Sequence, residues 1–345
     1  MDFSSRIIEW YNKFKRDLPW RNSNDPYKIW LSEIILQQTQ VQQGLPYYHK
    51  FIEHFPSIEL LARADEEQVL KLWQGLGYYS RARNLHFTAK KIVSLGSFPN
   101  TYNDIKKLKG VGDYTAAAIA SFAFKLPHAV VDGNVYRLLS RFYGIELAIN
   151  STEGKNHFYD LAQSLLNTNI PNIHNQAIME FGSQQCKPKK PLCCSCPLKS
   201  QCLAFNQKSI ERLPVKIKKT RVKKRYFDYF YFKHQKSTWV GKSSHKELWK
   251  NLNEFPLIVN HNEVQQMDIL KHPDFKQWTK NTKAEIKSIH NFKHKLSHID
   301  IFARFWEIEL DGKLNHQHFK AVSQLKIKDL AVSRLTEKYL QKIKL

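Results

Sequence analysis

Two carboxylates, four thiols and a pair of glycines are the places where this chain could do chemistry. Glu33 sits in the run YKIWLSEIILQQTQV, where its neighbours one helical turn away are Ile29, Trp30, Leu36 and Gln37. A carboxyl on so apolar a face is desolvated when that face is buried, which raises its pKa toward neutrality and suits a proton donor. A Glu turned to solvent at the edge of the stripe is the bland alternative. Asp132, in VVDGNVYRLLSRF, stands just before a helical run, where free backbone amides and the helix dipole favour the ionised form. Two carboxyls pushed in opposite directions are an acid and an anion stabiliser.

Cys186, Cys193, Cys196 and Cys202 follow one another with gaps of six, two and five residues. Thiolates so spaced hold a metal centre as one loop, either zinc or an iron–sulfur cluster. Lys187, Lys189, Lys190 and Lys199 flank the loop and offer a dock to an anionic polymer. In LKGVGDYTAAAIASFAF, Gly110 and Gly112 bracket Val111 between helical runs, a helix-hairpin-helix pattern. Without a Cβ in the way, backbone amides there can approach a phosphate at the positive end of the following helix.

All of these residues need helices to hold them. Asn24, Asp25 and Pro26 form a helix start, Asp25 as cap and Pro26 in the first turn, and the helix is expected to run through LQQTQV. Apolar 3.6-type periodicity recurs over residues 1–206, from the amphipathic MDFSSRIIEWYNKF onward, broken at Pro56, Gly96, Pro99, Gly110, Gly112, Pro127 and Gly144. After residue 225 the character changes: YFDYFYF, STWVG and IDIFARFWEIEL are rich in aromatic and β-branched residues and read as strands. The fold class expected is multidomain, with an all-α domain over 1–206 and a mixed α+β domain over 226–345. Between them, QKSIERLPVKIKKTRVKKR at 207–225 reads as an extended, solvated linker.

At 345 residues the chain is long enough for two cores. Its 54 Lys and Arg against 31 Asp and Glu give a net charge of +23, a prior for a polyanionic partner. Basic residues outnumber acidic ones 24 to 17 in 1–206, 21 to 13 in 226–345, and 9 to 1 in the nineteen residues between, so the connector is as charged as either domain. No stretch approaches the roughly 18 apolar residues of a membrane span, and the start does not read as a signal peptide. Clustered thiols fit a reducing compartment, so a cytoplasmic location is expected.

A hairpin of the LxGVG type, an Asp about twenty residues on and a C-x6-C-x2-C-x5-C loop together resemble the endonuclease III superfamily of base-excision DNA glycosylases. Within it, PWR at Pro19 to Arg21, LSEIILQQTQV, GLGYYSRARNL at Gly75 to Leu85 and VDGNVYR resemble the MutY-type adenine DNA glycosylases. The resemblance spans essentially all of 1–206. It implies a helix-hairpin-helix glycosylase domain with a [4Fe-4S] cluster, rather than zinc, on the four cysteines, and a monomer that associates with the nucleoid through double-stranded DNA, its partner. Superfamily members that also cut the backbone carry a lysine two residues after the second hairpin glycine; here that position is Tyr114. No Schiff base forms on a phenol, so base excision without strand cleavage is implied. By the same resemblance Glu33 is the acid that protonates the departing adenine, and Asp132 stabilises the oxocarbenium-like sugar, with Tyr114 assisting. Gln38, Thr39, Leu76 and Tyr78 fall among positions that engage the duplex around the opposite base. Arg16, Trp20, Arg21, Leu36 and Gln176 match positions around the extruded adenine.

WKNLNEFP at Trp249 to Pro256 resembles a segment of MutY C-terminal domains with a Nudix-like fold. LSHID at Leu296 to Asp300 resembles their loop that contacts 8-oxoguanine, with Ser297 and His298 carried over and Leu296 in place of an aromatic. No complete Nudix hydrolase signature is present, so a recognition module for 8-oxoguanine opposite adenine is implied. A thymine-glycol or abasic-site enzyme of the same superfamily, a non-catalytic mispair binder and an electron carrier are the rival readings; Tyr114, Glu33 and Asp132 weigh against them.

Overall fold

The structure, a computed structural model, describes residues 2–217, 222–243, 248–296 and 298–345. The chain divides into two compact units: Met1–Arg63 with Asn84–Lys219, and Ala64–Arg83 with Thr220–Leu345. The helices in chain order are α1 Phe3–Phe14, α2 Pro26–Leu36, α3 Val41–His54, α4 Ile58–Arg63, α5 Glu66–Leu72, α6 Ser80–Ser94, α7 Tyr102–Lys106 and α8 Asp113–Phe124. They continue with α9 Gly133–Tyr143, α10 Thr152–Leu165, α11 Pro171–Gln184 and α12 Leu203–Asn206. No helix among the described residues is long and apolar enough to cross a membrane.

In the first unit α2 packs on α8, while α1 and α9 pack on α11. The second of these groups is held by Ile7, Trp10, Tyr11, Val135, Leu138, Leu139, Phe158, Ile178 and Phe181, all buried. The Asp25 carboxylate accepts the Tyr27 amide at 2.9 Å and Pro26 opens α2, as the Asn-Asp-Pro start predicts. The helix ends at Leu36, five residues short of the expected Val41, because Gln38 turns into the left-handed region at φ 56° and a new helix begins at Val41. The connector also differs from the extended, solvated reading. Arg141 Nε donates to the Ile210 and Leu213 carbonyls at 3.1 Å, Ile149 N donates to the Val215 carbonyl at 3.0 Å, and Leu213 is buried. Backbone carbonyls of that stretch and the buried Leu213 side chain tether it to the first unit, contacts that composition does not reveal.

The second unit is built on a sheet of β1 Lys223–His234, β2 Ser237–Lys242, β3 Asn253–Glu254, β4 Leu257–Asn260, β5 Ala284–Lys295, β6 Ile299–Leu310 and β7 Lys320–Ser323. The principal order is β3-β2-β1-β6-β5, with β4 also on β1 and β7 on β2. The β1–β6 pair is parallel and the others are antiparallel, so the sheet is mixed. Helices α13 Gln266–Leu270, α14 Pro273–Trp278 and α15 Arg334–Lys342 complete the unit. Both faces of the central strands are buried. Phe227, Tyr229, Tyr231 and Phe305 meet Tyr339 of α15 on one side; Phe230, Phe232 and Trp306 meet Phe275 and Trp278 of α14 on the other.

Residues 64–83 lie within the helical span of the sequence yet pack with the second unit. Glu67 accepts Lys242 Nζ at 2.7 Å and Asn253 Nδ2 at 2.8 Å, and Glu66 accepts Asn251 Nδ2 at 2.9 Å. Lys71 donates to the Lys328 and Leu330 carbonyls, and the Tyr79 hydroxyl to the Val332 carbonyl at 2.9 Å. The division is therefore not the contiguous one drawn from composition, because helical periodicity marks an element but not the core it joins.

Candidate active site

A cleft of about 1220 Å³ opens within the first unit, and Glu33, Tyr114 and Asp132 line it together. Each is brought there by a different element. Glu33 comes from α2, whose Ile29, Trp30, Ile34 and Ile35 are buried, and the residue as a whole is 6 % exposed. Tyr114 lies in the first turn of α8, just past the hairpin glycines, and Asp132 is the cap of α9.

Desolvation pushes the Glu33 carboxyl up to about 7, with the nearby Asp132 adding to the rise; the Tyr114 hydrogen bond and Arg21 pull the other way. Burial and the two neighbouring carboxyls hold the Tyr114 phenol well above its ordinary range, so it stays a donor. Asp132 Oδ1 accepts the amides of Asn134 and Val135, both at 2.9 Å, and Oδ2 accepts Asn134 Nδ2 at 2.7 Å. Desolvation nevertheless moves the Asp132 pKa upward, against those bonds and Arg137. Here the opposition expected from a helix cap is a matter of degree: both carboxyls shift up, and capping restrains only Asp132.

Arg16, Trp20, Arg21, Leu36, Gln38, Thr39 and Gln176 line the same cleft. Trp20 is fixed edge-on to Tyr48 with ring centroids 5.1 Å apart, and Gln176 Oε1 accepts the Tyr11 hydroxyl at 2.6 Å. Sequence reasoning missed Glu180 of α11. Buried at 1 % side-chain exposure, it accepts Arg16 Nε at 2.7 Å and Nη2 at 2.6 Å, and Arg21 Nη2 at 2.8 Å. Although burial alone would raise it, the two guanidinium groups bring its carboxyl down to about 2. Its signal was a lone Glu in the otherwise apolar AIMEFG. Gln37 was missed too: Nε2 reaches the Thr115 hydroxyl at 3.3 Å and the Gly110 carbonyl at 3.4 Å, linking α2 to the hairpin. Leu76 and Tyr78 fall in the second unit, Leu76 buried and Tyr78 exposed at φ 48°.

In the hairpin Gly110 adopts φ 85° and Gly112 caps α8 in extended backbone, its carbonyl accepting the Ala116 amide at 2.8 Å. A Cβ on Gly110 would stand 3.0 Å from that of Asn84. Val111 is buried and seats the turn. Cys186, Cys193, Cys196 and Cys202 line one small cavity of about 30 Å³ with Leu138, Phe142, Phe181 and Leu198. Burial raises the Cys196 thiol to about 11 and moves Cys193 and Cys202 up as well; Cys194 is exposed. Among the described residues no group of three or more His, Cys, Asp or Glu meets the geometry of a site for a single metal ion. In the second unit His298 is exposed, its carbonyl accepting the Lys223 amide at 3.1 Å, and Ser297 lies outside the described residues.

The profile of the HhH-GPD superfamily base excision DNA repair proteins matches residues 31–161. The adenine DNA glycosylase of Buchnera aphidicola subsp. Baizongia pistaciae is 38 % identical over 307 residues, covering 87 % of this chain and 84 % of that protein. That of Mus musculus is 44 % identical over 216 residues, covering 59 % of this chain and 42 % of that one. Among solved structures, a thermostable thymine-DNA glycosylase is similar at TM-score 0.56 and 29 % identity, over 59 % of this chain and 95 % of its own. An endonuclease III in a non-covalent DNA complex shares the fold at TM-score 0.52 and 20 % identity, over 60 % of this chain and 99 % of that one.

Proposed function

Because the chain belongs to the adenine DNA glycosylase family, we propose that its cleft hydrolyses the N-glycosidic bond of adenine paired with 8-oxoguanine or guanine in duplex DNA, as a step of base excision repair. One observation carries the chemistry: a buried carboxyl at about 7, Glu33, shares a cleft with the better-stabilised carboxyl of Asp132. Adenine leaves poorly as an anion, so Glu33 protonates its ring nitrogen N7 while the bond to the sugar stretches. Asp132, held by α9 amides, faces the cationic sugar of the oxocarbenium-like state until water adds at C1′, its proton passing to the Glu33 carboxylate. Tyr114 keeps Glu33 in place and, being a phenol, forms no Schiff base, so the product is an abasic site. At about 1220 Å³ the cleft exceeds the roughly 300–1,000 Å³ of small-molecule pockets, which suits an extruded nucleotide with its flanking backbone. Arg16, Trp20, Arg21, Leu36 and Gln176 surround the adenine, and Glu180 sets the angle of both arginines. Gln38 and Thr39 of the first unit engage the duplex, as does the exposed Tyr78 of the second, whereas Leu76 is buried and serves packing; Gly110, Val111 and Gly112 hold phosphates.

The four thiols fit a [4Fe-4S] cluster: they share one cavity with apolar walls, and Arg141 Nη1, 3.6 Å from Cys186 Sγ, supplies a cation beside the donor set. Cys186, Cys193, Cys196 and Cys202 would hold it as a staple that orders the lysine-rich loop. The mixed sheet supports a Nudix-like recognition domain in which the segment 296–300, carrying His298 and, outside the described residues, Ser297, reads 8-oxoguanine.

The test is a set of three duplexes, with 8-oxoguanine opposite adenine, thymine glycol opposite adenine, and no lesion, half of each treated with alkali after incubation. Alkali-dependent cleavage confined to the adenine strand of the first is expected; nicking at thymine glycol without alkali overturns the reading. Glu33→Gln and Asp132→Asn should bind the first duplex yet lose at least a hundredfold in single-turnover excision.

A further inference from the structure

Arg141 of α9 is buried, at 3 % exposure, and its guanidinium divides its donors between two stretches far apart in sequence. Nε donates to the Ile210 and Leu213 carbonyls, both at 3.1 Å. Nη1 donates to the Lys187 carbonyl at 2.7 Å and lies 3.6 Å from Cys186 Sγ, and Nη2 donates to the Pro188 carbonyl at 3.1 Å. One side of the fork therefore holds the connector and the other holds the start of the cysteine loop. A buried guanidinium has no water at hand to replace a lost acceptor, so the placement that suits one stretch requires the other to be in position.

A second contact joins the same two stretches. Ile210 is a wall of the small cavity that Cys186, Cys193, Cys196 and Cys202 line, so the connector contributes to the surroundings of the thiols. Beyond Ile210 the connector stays against the first unit. Asn150 exchanges two hydrogen bonds with Ile217, Nδ2 donating to its carbonyl and Oδ1 accepting its amide, each at 2.9 Å, and Arg212 pairs with Glu146. Arg212 and Lys216 of the connector are exposed, as are Lys189 and Lys190 of the loop.

We propose that Arg141 is a positioning residue that makes the order of the connector over 210–217 depend on ligation at the four cysteines, which thereby holds the basic residues of the connector as well as those of the loop. The inference rests on the cluster reading given above. With four ligands engaged, the loop is rigid and keeps the carbonyls of Lys187 and Pro188 in front of Nη1 and Nη2, which leaves Nε aimed at residues 210 and 213. Without that ligation the two carbonyls are free to move, Arg141 loses its fixed orientation, and the connector opens more often. A lysine at position 141 would keep a charge near Cys186, but a compact ammonium lacks the planar fork that spans both stretches. Such coupling is reciprocal, so loosening the connector must in turn loosen the iron.

The experiment uses the full chain purified with its iron. Iron is assayed first, and trypsin digestion followed by intact-mass analysis then gives the rate of cleavage after Arg212 and Lys216 relative to that after Lys125, an exposed residue of the same unit. Cleavage of a folded protein tracks local opening, so the ratio removes any general loss of stability. It should rise roughly tenfold or more in Arg141→Lys, and likewise in Cys202→Ser, which loses a ligand but keeps the arginine. Ile210→Ala, a change confined to the connector, keeps the test open if either of those variants fails to fold: it should raise the same ratio and speed iron release to a ferrous chelator. An unchanged ratio in folded Arg141→Lys or in iron-depleted Cys202→Ser overturns the proposal, as does an Ile210→Ala protein whose connector opens with no change in iron release. A parent without iron overturns the cluster reading and the proposal with it at the assay, whereas an iron-bearing parent with unchanged ratios in its variants strikes Arg141's role alone.

Discussion

Tyr114, two residues beyond Gly112, stands beside Glu33 in the cleft and interacts with its carboxyl, while its hydroxyl donates to the Met179 sulfur at 3.7 Å. The interaction pulls the Glu33 pKa down against a larger desolvation, so it tunes an acid as well as orienting it. As a proton donor Glu33 works only protonated, so kcat/KM should be flat below about pH 7 and fall above it. Tyr114→Phe removes that restraint, and the alkaline limb should move to higher pH. A pH–rate profile of both proteins on the 8-oxoguanine duplex checks this; an unshifted limb separates Tyr114 from the acid.

Glu33 also bears on stability, with a sign that follows from its raised value. Its carboxyl titrates at 4.5 ordinarily and at about 7 in the fold, so folding favours the protonated form. No penalty exists below the lower value; it grows between the two and is complete above about 7, where the shift corresponds to about 3 kcal/mol. Glu33→Gln should therefore be more stable than the parent at pH 8 by up to that amount and nearly equal to it at pH 4. Urea unfolding at the two pH values measures the difference.

Glu180 behaves in the opposite sense. Its carboxyl falls from 4.5 to about 2 under Arg16 and Arg21, so its stabilisation is present above the upper value and lost as pH falls toward the lower one. Glu180→Gln should cost about 3 kcal/mol at pH 7, and the deficit should vanish by pH 2. In the same variant the two arginines lose their common anchor, so KM for the mispaired duplex should rise. Loss of stability without a change in KM would confine Glu180 to the scaffold.

The two hairpin glycines should separate on substitution. Gly110→Ala meets both a positive φ of 85° and the Asn84 Cβ at 3.0 Å, and should cost about 1–3 kcal/mol. Gly112→Ala has ordinary backbone and nothing within 4 Å, so its melting temperature should be close to the parent's. Its added methyl still stands where a phosphate would approach, and weaker duplex binding at unchanged stability is the expected signature.

Five cysteines divide four to one by position. Cys202→Ser should lower iron content and stability, whereas exposed Cys194→Ser should keep the iron and absorbance of the parent. Iron assay and visible absorption on freshly purified protein decide it; equal iron loss in both variants would remove the distinction.

The residues that were legible in sequence are those whose role is local. The Asp25 cap, the Asp132 cap, the paired glycines and the alternation of IDIFARFWEIEL each depend on a few neighbours, and α2, α9, the hairpin and β6 appear where those signals put them. What was hidden depends on distant partners. Glu180 reads as an ordinary charge until Arg16 and Arg21, 164 and 159 residues away, close on it. Asp132 looked secured as an anion by its helix, but the cleft's desolvation is a tertiary quantity. Trp306 and Tyr226 sit on the same face of the sheet, and only register tells which of them a helix covers.

The segment carrying Glu66, Glu67 and Tyr78 has a consequence for the living chain. Its partners Lys242, Asn251 and Asn253 lie 175 to 186 residues downstream, so they leave the ribosome long after it does. At roughly 5–20 residues per second the interval is about 10–40 s. During that time Glu66 and Glu67 are on the nascent chain without the three side chains that bind them in the fold, so these contacts close late in synthesis.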